Sequence, residues 1–185
     1  VEFQNNDRVS VTYSDLYEFI PRPFTIATGV TLPVGGYGWR NLRLAFDSRP
    51  QRTLAANLAL EHGTFYNGDR TAVSVSRGRL ALAPWLSIEP TYSLNRVDLR
   101  QGSFTSHLAG SRVIYTVSPF MFASALVQYN SSNHAMTANV RLRWEYQPGS
   151  ELFIVYNDER DTNRRGFPDL ATRAVIVKVN RLFRF

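Results

Sequence analysis

The sequence of 185 residues contains no cysteine. This absence excludes a disulfide framework, a thiolate zinc site and a cysteine nucleophile. The chain also has no run of about 18 apolar residues, the length that a membrane-spanning helix requires. Its first residues, VEFQNNDRVSVTY, contain neither the basic nor the apolar segment of a signal peptide, which favours a mature chain or a fragment.

Basic residues are numerous but not concentrated. The formal net charge is +6, yet Arg164 and Arg165 are the only basic residues that are adjacent in the sequence. The others are scattered through alternating segments, unlike the continuous basic stripe that follows a phosphate backbone. The distribution therefore argues against a nucleic-acid partner, and the length fits one domain.

Apolar residues alternate with polar ones in about ten segments of roughly ten residues each. Helical periodicity is weak throughout, so the pattern predicts an all-β protein. Clusters of Gly, Pro, Asn, Asp and Ser separate the segments. The predicted strands cover residues 2–13, 37–47, 52–63, 69–82, 85–97, 104–117, 119–130, 135–147, 150–157 and 172–185.

Alternation gives each predicted strand one apolar and one polar face. In segment 135–147 the apolar face carries Ala138, Val140, Leu142, Trp144 and Tyr146, and the polar face carries Asn139, Arg141, Arg143, Glu145 and Gln147. Alternation alone does not decide which face is outward. Near Gly78 the alternation slips by one residue, which predicts a β-bulge.

Connection lengths favour an outer-membrane barrel. From the second strand onward the connections are SRP, HGTFYNGDR, AP, DLRQGS, SP, SSNH, PG and NDERDTNRRGFPDLA, in which short and long alternate. Such alternation is typical of tight periplasmic turns and longer extracellular loops. It predicts a periplasmic C-terminus and places the first connection, from about Ser14 to Gly36, outside.

The C-terminal segment supports the same prediction. Val175, Val177, Val179 and Phe183 alternate with Ile176, Lys178, Asn180 and Arg184 before a terminal Phe185. This pattern is similar to the C-terminal signal that the barrel-assembly machinery recognises in outer-membrane proteins. Arg181 departs from this pattern. Several aromatic residues near the predicted periplasmic strand ends are expected to form a girdle at the lipid interface. They are Trp85, Phe120, Phe122, Trp144, Tyr146, Phe183 and Phe185.

The polar faces carry charged residues on six predicted strands. We expect these side chains to line the lumen of the barrel. In a narrow barrel they would pair and fill the interior, whereas in a wide one they would line a channel. The residues are Arg43, Glu61, Glu89, Arg112, Arg141, Arg143, Glu145 and Lys178.

No metal site or cofactor is predicted. His62, His107 and His134 share the parity of the apolar residues of their strands, so their rings are expected to point outward and not to converge on one ion. The segment NDERDTNRRGFPD lacks the glycine and the closing glutamate of a calcium loop, which favours a solvated loop. Loop aromatic residues are candidates for stacking on sugar rings, namely Phe65, Tyr66 and Phe167.

No catalytic residues are predicted either. A hydrolase needs a nucleophile, a histidine and a carboxylate within hydrogen-bond reach. Ser106 and His107 are neighbours in a predicted strand and therefore face opposite sides. An outer-membrane hydrolase nevertheless stays an alternative, as does a structural barrel subunit docked in an envelope complex.

Several blocks resemble a family of bacterial outer-membrane proteins. The blocks are GTFYNGDR, SLNRVDLRQGSF, VQYNSS, RLRWEYQPGSELFIVYN and VKVNRLFRF. In this family a C-terminal β-barrel domain of unknown function follows a signal peptide and a carbohydrate-binding family 9-like domain. The chain resembles the C-terminal part of that barrel domain. The resemblance implies an anchoring or pore role linked to carbohydrate binding or uptake, and it transfers no catalytic residues.

The predicted fold is an antiparallel up-and-down transmembrane β-barrel that spans residues 1–185, with about ten strands in this chain. The predicted location is the bacterial outer membrane. Membrane lipid, carbohydrate and other envelope chains are the expected partners. A soluble, lipocalin-like barrel is the alternative fold, in which the apolar face would be the core.

Overall fold

A computed structural model gives the fold of residues 1–49, 53–164 and 168–183. Regular structure in these ranges consists of β-strands, and no helix there is long and apolar enough to cross a membrane. The strands are β1 Arg8–Ile20, β2 Phe24–Ala27, β3 Val30–Leu32, β4 Gly35–Asp47, β5 Leu54–Phe65, β6 Gly68–Ala83, β7 Leu86–Leu99, β8 Gly102–Ser118, β9 Met121–Asn130, β10 Ala135–Gln147, β11 Ser150–Asp161 and β12 Asp169–Asn180.

Ten of the strands form one antiparallel up-and-down sheet, so the all-β prediction is confirmed. Its order is β1-β4-β5-β6-β7-β8-β9-β10-β11-β12, and β2 pairs only with β3 in a separate two-stranded sheet. Strands β1 and β12 are therefore the two edges of the larger sheet. Among the described residues no pairing joins one edge to the other.

Residue contacts divide the chain into two compact units. The first unit comprises Val1–Gln51, Ala55–Arg77 and Tyr92–His107. The second comprises Arg52–Leu54, Gly78–Thr91 and Leu108–Phe185. Strands β6, β7 and β8 contribute residues to both units.

The predicted alternation of short and long connections is wrong. Strands β5 and β6 are joined by Tyr66 and Asn67 alone, and β7 and β8 by Arg100 and Gln101 alone. Both connections were predicted to be long. The strands continue into the predicted loops because residues such as Phe65 still alternate and pair. Likewise, β11 runs to Asp161, so the first five residues of the predicted connection 157–171 belong to a strand.

The predicted first connection contains structure of its own. Strand β1 continues to Ile20 because it pairs with β4 residue by residue, from Arg8 opposite Asp47 to Ile20 opposite Gly35. A β2–β3 hairpin follows, turning at Gly29, whose φ of 79° favours glycine. The predicted strand at 2–13 therefore begins and ends several residues too early.

The β2–β3 hairpin supplies two of the five residues of the buried apolar core in the first unit. Its members Val30 and Leu32 pack with Ile20 of β1 and with Val97 and Leu99 of β7. Leu32 is completely buried, with a relative exposure of 0%. Inside the unit, burial of these side chains fixes the hairpin on the sheet.

Two further local features bear on the predictions. Arg77 has a φ of 48°, in the left-handed region, so β6 is irregular where the alternation slips before Gly78. At the other end of the sheet, β12 ends at Asn180, earlier than the predicted strand at 172–185. Phe185 lies outside the described residues.

Candidate functional site

The sheet of the first unit has an exposed apolar face. Tyr13 and Val11 of β1 lie opposite Leu42 and Leu44 of β4. Tyr13 and Val11 are 62% and 65% exposed. Leu60 of β5 continues this row opposite Leu44 and is also exposed. We call this surface the apolar face of the first unit.

The second unit has an equivalent apolar face. On β12, Val175, Val177 and Val179 are 64%, 60% and 63% exposed. Ile154 and Tyr156 of β11 lie opposite Val177 and Val175, and the row continues to β10. The exposed valines of β12 and the half-buried Ile154 and Tyr156 beside them therefore form one apolar patch, a feature that often marks an interaction or membrane-facing surface.

The core of the first unit lies on the opposite, polar face. Val97 and Leu99 have the same parity along β7 as Ser93 and Asn95, whose side chains are hydrogen-bonded to each other at 3.3 Å. The β2–β3 hairpin covers Val97 and Leu99. In this unit the polar face thus holds the buried core, which is the reverse of a lipocalin-like barrel.

Charged residues on the polar face of the first unit form a network around Glu61. Arg43 Nη1 lies 3.7 Å from Glu61 Oε2, and Arg70 Nη2 lies 3.3 Å from Glu61 Oε1. Asn41 donates a hydrogen bond of 3.0 Å to the same Oε1. The sequence prediction of lumen-lining residues includes Arg43 and Glu61 but not Arg70.

Arg143 is the centre of a second network, on the polar face of the second unit. It donates hydrogen bonds to Glu151, the one from Nε measuring 3.1 Å. Its guanidinium lies 5.9 Å from the ring centre of Phe122 and 5.8 Å from that of Phe153. Phe122 lies opposite Arg143 in the β9–β10 pair, so its predicted place in the outward girdle is wrong.

The other predicted lumen-lining residues occupy varied surroundings. Arg141 lies opposite Ser124 and Val155, and Lys178 lies opposite Phe153. Arg112 lies opposite Leu126, and Glu145 accepts a hydrogen bond of 3.0 Å from the backbone N–H of Gly149. Glu89 lines a cleft of about 680 Å³ beside the β6–β7 turn, together with Arg79 and Trp85.

The predicted girdle residues of the second unit lie at one end of their strands. Trp85 packs edge-on against Tyr115 at 5.4 Å, and Trp144 packs edge-on against Tyr146 at 6.1 Å. Phe120 and Phe183 are exposed. The Tyr146 hydroxyl donates a hydrogen bond of 3.1 Å to the carbonyl of Asn180, an arrangement typical of interfacial tyrosines.

Two of the predicted sugar-stacking residues belong to an aromatic cluster. The Tyr66 ring lies 4.6 Å from Phe65, 4.8 Å from Trp39 and 5.4 Å from Tyr37. Phe65 and Tyr66 are half-buried, because their rings pack against these neighbours. Phe167 lies outside the described residues.

Tyr66 has unusual backbone and electrostatic surroundings. Its φ is 52°, which is strained for a bulky residue. Its hydroxyl donates a hydrogen bond of 2.8 Å to Glu18 Oε2. Burial, followed by the hydrogen bond to Glu18 and the charge of that carboxylate, raises the pKa of Tyr66 to about 12. The residue also borders a cleft of about 320 Å³ with Glu18 and Phe24.

The histidines are separate from one another. His62 lies opposite Leu42 on the apolar face, and its Nδ1 is 2.8 Å from Thr71 Oγ1. His107 Nδ1 is 2.9 Å from the Tyr92 hydroxyl. Among residues 1–49, 53–164 and 168–183, no group of three or more acidic, histidine or cysteine residues is arranged to hold a metal ion.

Comparison with known proteins gives no relative for this chain. No family model matches it, and no curated protein or solved structure is significantly similar to it.

Proposed function

We propose that this chain is an integral outer-membrane β-barrel domain that anchors a larger envelope protein or forms part of its pore. The observation that carries the proposal is the inverted arrangement of the sheet. Valines, leucines and tyrosines of the apolar face are exposed, whereas the buried core of the first unit lies on the polar face. A lipid environment gives this inversion a physical reason.

Exposure of the apolar face to water is unfavourable. Burial of one valine or leucine side chain is worth about 1.5–3 kcal/mol, and the exposed rows contain many such residues. Hydrocarbon removes this cost, because lipid chains are as apolar as the side chains themselves. Polar and charged residues then belong on the face turned away from lipid, where Arg43 and Arg143 have carboxylate partners.

The two edges of the sheet also bear on the proposal. Backbone N–H and C=O groups find no water inside a bilayer, so a membrane-spanning sheet must have no open edge. Strands β1 and β12 therefore require partners, either each other or strands from elsewhere. The exposed β12 edge favours the second candidate function, a structural barrel subunit docked in an envelope complex.

The anchoring role has more support than an open pore. In the first unit the β2–β3 hairpin covers part of the polar face, and charged residues there are paired across it. Both features fill space that an open channel would leave to water. The link to carbohydrate binding or uptake stays a prediction from the family resemblance, since Phe65 and Tyr66 are packed within an aromatic cluster.

Cell fractionation of the expressed chain tests the proposal. We expect the protein in the outer-membrane fraction, with a folded form that migrates differently on gels before and after heating. Deletion of Phe183–Phe185 should impair assembly. A chain that stays soluble without detergent, or a truncated chain that assembles normally, would contradict it.

A further inference from the structure

A compact charged cluster lies at one end of the apolar face of the second unit. Asp158 of β11 accepts hydrogen bonds from Arg160 Nε at 2.6 Å and from Arg173 Nη2 at 3.0 Å. The Tyr156 hydroxyl donates to Asp158 Oδ2 at 2.9 Å. Arg173 lies directly opposite Asp158 in the β11–β12 pair, and its guanidinium is 6.0 Å from the ring centre of Tyr156.

The cluster shares its face with the exposed valines. Tyr156 lies opposite Val175, and Asp158 lies opposite Ala138 of β10, so both belong to the apolar face. Along β12 the residues of this parity are Arg173, then the three exposed valines, then Arg181 just beyond the strand end. Two arginines thus bracket an uninterrupted apolar stripe.

The length of this stripe matches a membrane. Arg181 is eight positions after Arg173, which corresponds to about 26 Å along a strand. With the strand tilt of membrane barrels this becomes about 20 Å, and arginine side chains that extend away from the stripe approach the apolar height of about 25 Å. Arg173 and its partners would therefore lie at one lipid–water interface.

The cluster carries more positive than negative charge. One carboxylate, Asp158, faces two guanidinium groups, Arg160 and Arg173. Asp158 is 7% exposed, whereas the side chain of Arg173 is 47% exposed. Asp158 holds Arg173 in place through Nε and Nη2. The edge formed by Nη1 and the second proton of Nη2 points away from Asp158 and is the part of the guanidinium available to a ligand. An arginine fork is suited to binding the oxygens of a phosphate group.

From these observations we infer that Asp158, Arg160 and Arg173 form a binding site for the phosphate group of a membrane lipid. Asp158 positions the two arginines, and Arg173 contacts the phosphate. Tyr156 packs beneath the guanidinium at the edge of the apolar stripe. The inference rests on the proposed membrane location, because it requires the apolar face to meet lipid.

Native mass spectrometry of the detergent-solubilised chain tests this site. The probe is bis-phosphorylated lipid A, compared with the same glycolipid after removal of its phosphates. We expect the phosphorylated lipid to bind more tightly, and Arg173→Gln to weaken its binding roughly ten-fold, as loss of a charge-assisted contact predicts. Lys178→Gln is the matched control, because it removes a cation from the same strand on the opposite face.

Three results would overturn the inference: equal binding of both lipids, unchanged binding by Arg173→Gln, or an equal loss in Lys178→Gln. If Arg173→Gln does not fold, Arg173→Lys is measured instead, because it keeps the positive charge beside Asp158 but loses the planar guanidinium. Wild-type affinity for the phosphorylated lipid in that variant would also overturn the inference. Flotation with phosphatidylcholine vesicles is measured separately. Failure to float contradicts the proposed function, whereas flotation without phosphate preference contradicts only the lipid site.

Discussion

Tyr13 of β1 lies directly opposite Leu42 of β4. The two side chains share one face of the sheet, and both are exposed. On β11 and β12, Ile154 likewise lies opposite Val177, where Val177 is exposed and Ile154 is half-buried. Paired apolar residues in a sheet usually mark the side that packs on a core. Here the paired apolar residues lie on the exposed face of the sheet, and the proposed function requires lipid to cover that face.

A charge placed on the apolar face should destabilise the protein in membranes. Val140 lies midway along β10 and is exposed on this face. We expect Val140→Arg to cost about 2–4 kcal/mol, the penalty for arginine near the bilayer centre. Urea unfolding of the protein from lipid vesicles measures the change.

Arg141→Leu is the control for this variant, because residue 141 lies on the polar face of the same strand. We expect it to change stability by less than about 1 kcal/mol, as is usual for substitutions away from packed or paired groups. Equal destabilisation by the two variants would mean that the faces are not assigned correctly.

The β2–β3 hairpin should depend on one buried leucine. Leu32 is the most deeply buried side chain of the first-unit core. Leu32→Ala should cost about 2–5 kcal/mol through lost burial and the cavity that remains. Val34→Ala, at an exposed position two residues later, should have little effect. Hydrogen exchange of the hairpin amides is measured alongside unfolding. Equal exchange rates and equal stability in the two variants would contradict this prediction.

The ion pair between Arg143 and Glu151 should make a modest contribution. Arg143 is 41% exposed and Glu151 is 22% exposed in this pair, so solvent screens the interaction. A double-mutant cycle with Arg143→Gln and Glu151→Gln should give a coupling of about 0.2–1 kcal/mol. A coupling well above about 1 kcal/mol would contradict the expected solvent screening.

Tyr66 should titrate at unusually high pH. Its pKa is raised to about 12 in the folded protein, above the value of about 10 for an unfolded chain. The neutral hydroxyl therefore contributes stability below about pH 10, and this contribution is lost as pH rises through about 12. Absorbance titration of wild type and Tyr66→Phe checks this. The difference between the two curves should appear near pH 12, and a difference near pH 10 would contradict the expected environment.

Strand positions in the middle of the chain could be predicted well from alternation. The predicted strand at 135–147 matches β10 at both ends, because every second residue from Ala138 to Tyr146 is apolar. Turn residues such as Pro148 and Gly149 also mark their hairpin correctly. Local pattern suffices here because each strand pairs with its neighbours in sequence.

Features that depend on tertiary packing could not be predicted in the same way. The β2–β3 hairpin was treated as a connection, although Gly29 and the alternation of Val30, Thr31 and Leu32 are signals for it. Glu151 was not identified as the partner of Arg143, because pairing across a hairpin requires the register as well as the strand. The Asp158 cluster was missed because its segment was interpreted as a loop.

Cysteine labelling at positions 140 and 141 tests the central claim most directly, since the chain has no cysteine of its own. One sample of each variant is reconstituted into lipid vesicles and treated with a water-soluble maleimide. A second sample is labelled with a fluorophore in denaturant before reconstitution, and a bilayer-resident quencher is then added. The account predicts that Cys at position 140 is protected from the maleimide and quenched from the lipid, whereas Cys at position 141 is neither. Rapid labelling at 140 with protection at 141 would contradict it.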